Sequence, residues 1–356
     1  FKMRRTQDLP DKESATMFFQ DCKLAHQAQI TGISHSVKEI LPPDLLDLTQ
    51  LQKEANIRYG FTASEVYNIA QSLYEKKLIS YPRTSSRYLT EDVFDSLSPI
   101  MARLLSWELF PATKGTGGID ISGLSRHVIS AEKANVHHAI IITGIRPGNL
   151  SEKEMQVYRL VAGRMLETFM APCRIETTNV EAVCAAQHFK AEQTRIIEAG
   201  WHDVFMRSDM VPKSGYSVNE LPEVEKSDTL NVCGCNMVHK KQLPVNPFTD
   251  AELVEYMEQN GLGTVSSRTN IIRTLVNRKY IRYSGKYIVP TPKGMFTYET
   301  IRGKKIADTS LTADWEKQLA GLESGMITGQ DFLNRIRTLA KEMTDDIFNT
   351  YSTKEE

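Results

Sequence analysis

The segment Leu78-Ile79-Ser80-Tyr81-Pro82-Arg83-Thr84-Ser85-Ser86-Arg87-Tyr88-Leu89 sets a phenol two residues before a guanidinium, among hydroxyl side chains. A free phenol is a poor nucleophile because its pKa is about 10. A guanidinium fixed beside it can hold a phosphodiester oxygen and favour the tyrosinate. Taken alone, the tripeptide more often marks a loop tyrosine on a helix end with a solvated arginine. Farther along, His137-His138 precedes Ala139-Ile140-Ile141-Ile142. A histidine there can hydrogen-bond a phosphate or move protons near neutral pH, although such a pair is more often a core or surface feature. Gly261-Leu262-Gly263-Thr264 leading to Ser266-Ser267-Arg268 puts backbone amides, hydroxyls and a cation at a helix start. That suits a phosphate, and equally an ordinary capped helix after a glycine turn.

Helices and strands must hold these groups. Thr49-Gln50-Leu51-Gln52 and Thr62-Ala63-Ser64-Glu65 both fit a capping box. The second opens a helix with Val66, Ile69, Ala70, Leu73 and Tyr74 on one face, delivering Tyr81 just past its end. Helical period returns at about Thr90 to Leu109 and from Ser151 to Phe169. Lys114-Gly115-Thr116-Gly117-Gly118 reads as a loop without the strand-loop-helix context of a phosphate cradle. Lys23 to Ile40 reads as an extended strand ended by Pro42-Pro43. Arg174 to Asp203 is strand-like, with Val180, Ala182, Cys184, Phe189 and Ala191 alternating. Residues 206–246 are polar and proline-punctuated, with short strands and turns. Thr249-Asp250-Ala251-Glu252 is a third capping box. After the glycine turn comes a helix with Ile271, Ile272, Leu275 and Val276 inward, then a hairpin turning at Ser284-Gly285. No internal repeat is evident.

The 356 residues suffice for two or three domains, and 41% hydrophobic with 24% charged content is that of a globular protein. A net charge of −1 means that any phosphate affinity comes from local Lys and Arg clusters. No apolar run has the length of a membrane span and no secretory signal leads the chain, so a cytoplasmic protein without membrane partners is expected. Its first residue, Phe1, fits a fragment. The five cysteines are odd in number, and Cys233-Gly234-Cys235 lacks zinc-knuckle or redox spacing. Reduced thiols are the simplest account.

The Tyr81 segment resembles the active-site signature of type IA DNA topoisomerases, Y-P-R-T-D-S-R-Y-L. Val136 to Thr143 is similar to the family's H-x-A-I-x-P-T. Phe248 to Leu253, with Asn260 to Arg268, resembles F-T-E-A-x-L … N-G-I-G-T-P-A-T-R. Lesser matches at Leu45 to Asn56, Gly60 to Glu75 and Leu311 to Gly325 keep the same order, and the style is nearest to topoisomerase III. The resemblance implies a multidomain α+β toroid: a helical domain with the catalytic tyrosine (51–172), a β-rich arch (28–50 and 173–245), and a helix-rich, winged-helix-like base (1–27 and 246–356). It makes Tyr81 the nucleophile that keeps a 5′-phosphate of single-stranded DNA, Arg83 the phosphate clamp, and His137 a phosphate or proton-handling group. His138 receives no role. Gln71, Thr264, Ser267 and Arg268 become DNA contacts. The expected partners are single-stranded DNA and duplexes with unpaired regions, acted on by a monomer near the nucleoid or a plasmid.

Three departures qualify the match. Ser85 stands where most relatives carry Asp, while Ile142 and Val265 replace prolines. No D-x-D-x-E motif is found. In the family a preceding Toprim domain supplies a catalytic Glu and the acidic cluster for Mg²⁺, so this chain is expected to hold the remainder and to be inactive alone. One rival is a winged-helix or other non-catalytic DNA-binding module, favouring duplex over single strands. A conjugative relaxase is another, but its metal-gathering histidines flank a bulky apolar residue, whereas His137 and His138 are adjacent.

Overall fold

The computed structural model describes residues 1–107, 109–110, 124–134, 137–206, 216–238 and 246–352. The Lys114–Gly118 loop reading lies outside them. The chain divides into two compact units: Phe1–Pro43, Glu108–Ser125 and Met165–Pro244 form one, and Asp44–Trp107, Arg126–Arg164 and Val245–Glu356 the other.

The first unit is built on an antiparallel sheet of order β1-β4-β3-β2-β5. Its strands are β1 (Arg4–Arg5), β2 (Gln27–Ile40), β3 (Cys173–Cys184), β4 (Gln187–Glu198) and β5 (Thr229–Asn231). β2 and β3 pair from Gln29↔Val183 to Ile40↔Cys173. The alternation read in the sequence is the buried face: Ile30, Val180 and Ala182 pack together with Leu230, and Trp201 covers Cys173 and Ile175 at the other end. Helix α1 (Lys12–Leu24) precedes β2, so Lys23 and Leu24 are helical and the strand begins at Gln27, later than the sequence implied. Asp11 caps α1 by accepting from the Ser14 amide at 2.7 Å, which holds that turn helical. All five cysteines are free. Cys22 and Cys184 pack in one apolar cluster beside Cys235; burial, then its neighbour Cys184, pushes the Cys22 thiol up to about 11, which makes it inert.

The second unit is mostly helical: α2 (Leu48–Tyr59), α3 (Ala63–Glu75), α4 (Glu91–Asp95), α5 (Leu97–Ser106), α6 (Ala131–Ala134), α7 (Glu152–Phe169, of which the residues from Met165 on belong to the first unit), α8 (Asp250–Gln259), α9 (Arg268–Asn277), α10 (Pro292–Ile301), α11 (Thr309–Glu323) and α12 (Gly329–Ser352). A hairpin of β6 (Ile281–Ser284) and β7 (Tyr287–Pro290) follows α9. The boxes at Thr62 and Thr249 form as read, but the one at Thr49 does not. Asp47 caps α2 through the Gln50 amide, because Leu48 and Thr49 already lie within the helix. The helical block after Thr90 breaks at Ser96, which ends α4 and caps α5. On α9, Ile272 is buried whereas Ile271 is 40% exposed, so its inward face is narrower than expected. The hairpin turns one residue later than read: Ser284 pairs with Tyr287, leaving Gly285 at a positive φ in the two-residue loop.

Candidate active site

Helix α3 places the reactive segment. Val66, Ala70 and Leu73 are wholly buried, which fixes one side of the helix; Tyr74, read as part of that face, is 39% exposed at its rim. The last turn closes by two bonds, Lys77 N–H to the Tyr74 carbonyl at 2.8 Å and Leu78 N–H to the Leu73 carbonyl at 2.9 Å, with Lys77 left-handed at φ 60°. This is a Schellman stop, made without the usual glycine. It turns the chain so that Leu78 and Ile79 are buried and Tyr81 follows beyond the helix.

From there the segment is laced to residues 137–143. Ile79 bridges Ile142, the Ser80 amide donates to Ile141 at 2.8 Å, and the Ser80 hydroxyl donates to Ala139 at 3.1 Å. The buried Thr84 hydroxyl donates to the His137 carbonyl at 3.0 Å. Ile142 is wholly buried, so packing and strand-like pairing hold that backbone where relatives use proline. Ser86, also buried, donates to the Lys133 carbonyl at 2.7 Å. These hydroxyls tie the motif together from inside, whereas Ser85 is exposed.

The lacing brings Tyr81, Arg83, His137 and Gln71 together. The Tyr81 and His137 rings lie 4.4 Å apart between centroids, tilted by 43°. Tyr74 meets Tyr81 edge-on at 5.4 Å. Arg83 donates through Nη2 to Gln71 Oε1 at 3.3 Å, and its guanidinium carbon sits 5.1 Å over the Tyr67 ring. Its Nε is buried without a hydrogen-bond partner among the described residues. Among the described residues no carboxylate pairs with Arg83, so its full charge remains for an anion. His138, by contrast, turns Nδ1 onto the Ala139 carbonyl at 2.7 Å.

Thr264, Ser267 and Arg268 form a second group, with no hydrogen bond to the first among the described residues. The Thr264 amide donates to Ser267 Oγ at 2.8 Å, and the two hydroxyls lie 3.2 Å apart. Gly263 allows this tight turn: at φ 68°, a Cβ there would meet Ser267 Oγ at 2.8 Å. Arg268 is 8% exposed. Its Nη1 pairs with Glu258 Oε1 at 3.1 Å, and its Nε donates to the Leu262 carbonyl at 3.3 Å. The start of α9 is tied to α3 by Gln52, whose amide donates to Thr269 Oγ1 at 2.9 Å and to the Ala63 carbonyl at 3.0 Å. Asp250, at the start of α8, ties α3 to β6, accepting from the Ala63 amide and, at 2.7 Å, from the Tyr283 hydroxyl. Sequence reading passed over Tyr67 and gave Gln52 to a capping box with Thr49 that does not form. For Tyr67 the available signal was spacing: 67, 71 and 74 share one helix face.

Comparison with known proteins agrees with this architecture. A family model described as DNA topoisomerase matches residues 2–334. DNA topoisomerase 3 of Bacillus licheniformis is 31% identical over 344 residues, covering 90% of this chain and 47% of the relative. DNA topoisomerase 3 of Bacillus subtilis is 30% identical over 355 residues, covering 92% and 48%. The structure of full-length topoisomerase I from Thermotoga maritima superposes with a TM-score of 0.73 at 23% identity, covering 96% of this chain and 56% of that one, and shows the same mixed fold. The chain spans about half the length of the curated relatives it matches. By its family match and its motifs in register, it belongs to the type IA DNA topoisomerases.

Proposed function

We propose that residues 1–356 carry the strand-cleaving tyrosine of a topoisomerase that acts on single-stranded DNA or unpaired regions of a duplex. Tyr81 Oη gives up its proton and attacks the scissile phosphorus, the bond from phosphorus to the 3′-oxygen breaks, and that oxygen takes up a proton and leaves as the 3′-hydroxyl, so that protons balance over the step. The 5′-phosphate stays on Tyr81 as an aryl ester, reactive enough for the same hydroxyl to reverse the step. Arg83 holds a non-bridging oxygen and stabilises the charge that builds on it. His137, its ring against that of Tyr81, hydrogen-bonds the phosphate or relays a proton. Strand passage and religation then complete the cycle. The observation that carries this reading is the guanidinium of Arg83, un-neutralised among the described residues, two residues from a phenol whose ring lies 4.4 Å from an imidazole.

Thr264 and Ser267 are proposed to contact the DNA backbone, with Arg268 held beneath them by Glu258. Mg²⁺ is expected on an acidic Toprim-type domain. Among the described residues no group of three or more His, Cys, Asp or Glu side chains is placed to hold a metal ion, so residues 1–356 as described do not fit a resident Mg²⁺, and the steps above use only Tyr81, Arg83 and His137. No helix among the described residues is long and apolar enough to cross a membrane; the proposed setting is the cytoplasm, as a monomer on DNA.

The test is covalent capture. With a labelled single-stranded oligonucleotide, Tyr81→Phe in the native protein that carries this chain should bind as the wild type does and give no adduct on a denaturing gel. Persistent adduct would move the nucleophile elsewhere, with Tyr88 the first alternative.

A further inference from the structure

We propose that one face of α3 is a template for the reaction that meets Arg83 through uncharged groups alone, with Tyr67 and Gln71 as positioning residues that hold its guanidinium without discharging it. This rests on the reading of Tyr81 and Arg83 given above. Tyr67, Gln71 and Tyr74 stand at intervals of four and three residues on α3, so they share a stripe. The first two meet Arg83: its guanidinium lies over the Tyr67 ring at 5.1 Å, and Nη2 reaches Gln71 Oε1 at 3.3 Å. The third meets the Tyr81 ring edge-on at 5.4 Å. A single helix face therefore touches both members of the Tyr-x-Arg pair and sets their separation.

The Gln71 amide has one sensible orientation. Arginine only donates and an ionised glutamate only accepts. Oε1 must therefore face Arg83, while Nε2 donates to Glu75 Oε1 at 2.8 Å. Gln71 is thus engaged at both ends inside the protein, which makes it a support for Arg83 in addition to any contact with DNA.

The chemical logic lies in the partners chosen. A carboxylate would fix the guanidinium more firmly, as Asp47 fixes Arg87 and Glu258 fixes Arg268, but would compete with the phosphate for it. An aromatic face and an amide oxygen orient a cation while leaving its net charge intact. The buried, unpartnered Nε of Arg83 is the donor left over by this arrangement. It is the one a phosphate oxygen would satisfy.

The test measures single-turnover cleavage of a labelled single-stranded oligonucleotide, and its affinity, in the native protein that carries residues 1–356. Tyr67→Leu should slow cleavage about tenfold or more, since small misplacements of a positioned group cost up to about a hundredfold, with DNA affinity unchanged. Tyr67→Phe keeps the ring face and should restore cleavage. Gln71→Glu places a carboxylate against Arg83 and should also slow cleavage; it serves if Tyr67→Leu loses its fold. The decisive arm is a double-mutant cycle: in an Arg83→Lys background, Tyr67→Leu should have little further effect, because Tyr67 acts through Arg83. Full additivity, or equal loss of binding and cleavage, would make Tyr67 a structural or base-stacking residue and overturn the template. Wild-type rates in both Tyr67→Leu and Gln71→Glu would also overturn it while leaving Tyr81 in place. No adduct even with the wild type would instead overturn the assignment of Tyr81, and the template with it.

Discussion

Arg83 and Arg87 stand four residues apart in one segment, yet their surroundings differ in kind. Arg87 Nε lies 2.6 Å from Asp47 Oδ2, whose side chain is 3% exposed. Burial pushes the Asp47 carboxyl up; the Gln50 amide and Arg87 pull it back. Asp47 also caps α2, so Arg87 serves architecture. Arg268 repeats the pattern with Glu258. Among the described residues, Arg83 meets only an aromatic face and an amide oxygen. The difference teaches that in a chain of net charge −1, a phosphate site can be made by selecting which cation stays un-neutralised, without adding basic residues.

The largest effect that would sharpen this comparison is on cleavage. Arg83→Lys keeps the charge but loses the planar two-pronged grip, and should lower the single-turnover cleavage rate by about 10²- to 10³-fold, the range for removing one charge-stabilising donor. DNA affinity and thermal midpoint should change little. If affinity fell in step with rate, Arg83 would be a general phosphate anchor, and its contrast with Arg87 would be one of degree.

The opposite variant should move stability. Asp47→Ala removes a helix cap, worth about 1 kcal/mol, and the buried partner of an arginine whose side chain is 35% exposed, a pair worth up to about 1 kcal/mol because the freed guanidinium can reach water. Denaturant unfolding should therefore show a loss of about 2 kcal/mol. An unchanged midpoint accompanied by lost cleavage would place the Asp47–Arg87 pair in the chemistry and erase the distinction.

Much of this was legible in the sequence, and the exceptions share physical causes. The boxes at Thr62 and Thr249 were readable because side chains three residues apart make both bonds. The box at Thr49 misled because the pattern ignores register, and Asp47 two residues earlier has the better cap geometry. Turns were missed where residues other than glycine take positive φ: Ala185 and Ala186, at 48° and 60°, join β3 to β4, and Lys77 ends α3. Tyr81, Arg83 and His137 were singled out by motif; in the structure the Tyr81 and His137 rings lie 4.4 Å apart, and Arg83 follows Tyr81 by two residues. Whether a given arginine is discharged was not readable, because it depends on partners distant in sequence. Glu258 reaches Arg268 across a glycine turn, and Asp47 reaches Arg87 from the N-cap of α2.

A third ion cluster in the same unit gives a pH handle on the support of α3. Glu154 accepts from Lys76 at 2.6 Å, Ser72 at 2.7 Å and the Ser151 amide at 3.0 Å. The hydrogen bond from Lys76, then those from Ser72 and Ser151, lower its pKa from 4.5 to about 2. A carboxyl depressed in the folded state contributes stability that is fully present above the unfolded value of 4.5 and lost as pH falls through about 2. Glu154→Gln should therefore unfold more readily at pH 7 but show a shallower loss of thermal midpoint between pH 4.5 and 2 than the wild type. Parallel curves would mean that Glu154 is not held by Lys76 and Ser72.

The smallest expected effect concerns the stop that aims Tyr81. Lys77 is left-handed at φ 60°, a conformation that costs a residue with a Cβ about 1–2 kcal/mol. Glycine removes that cost but gives back about 0.5–1 kcal/mol through the greater freedom of the unfolded chain. Lys77→Gly should thus raise stability by about 0.5 kcal/mol. The turn is set by two backbone bonds, and the Lys77 side chain is exposed, so cleavage by Tyr81 should be unaffected. A loss of stability would mean that residue 77 leaves the left-handed region, and the Schellman stop would not be what directs the chain toward the site. A gain in stability with slower cleavage would be more informative. It would show that the Lys77 charge, on the same segment as Tyr81, adds to the field Arg83 supplies, and that the template does not act alone.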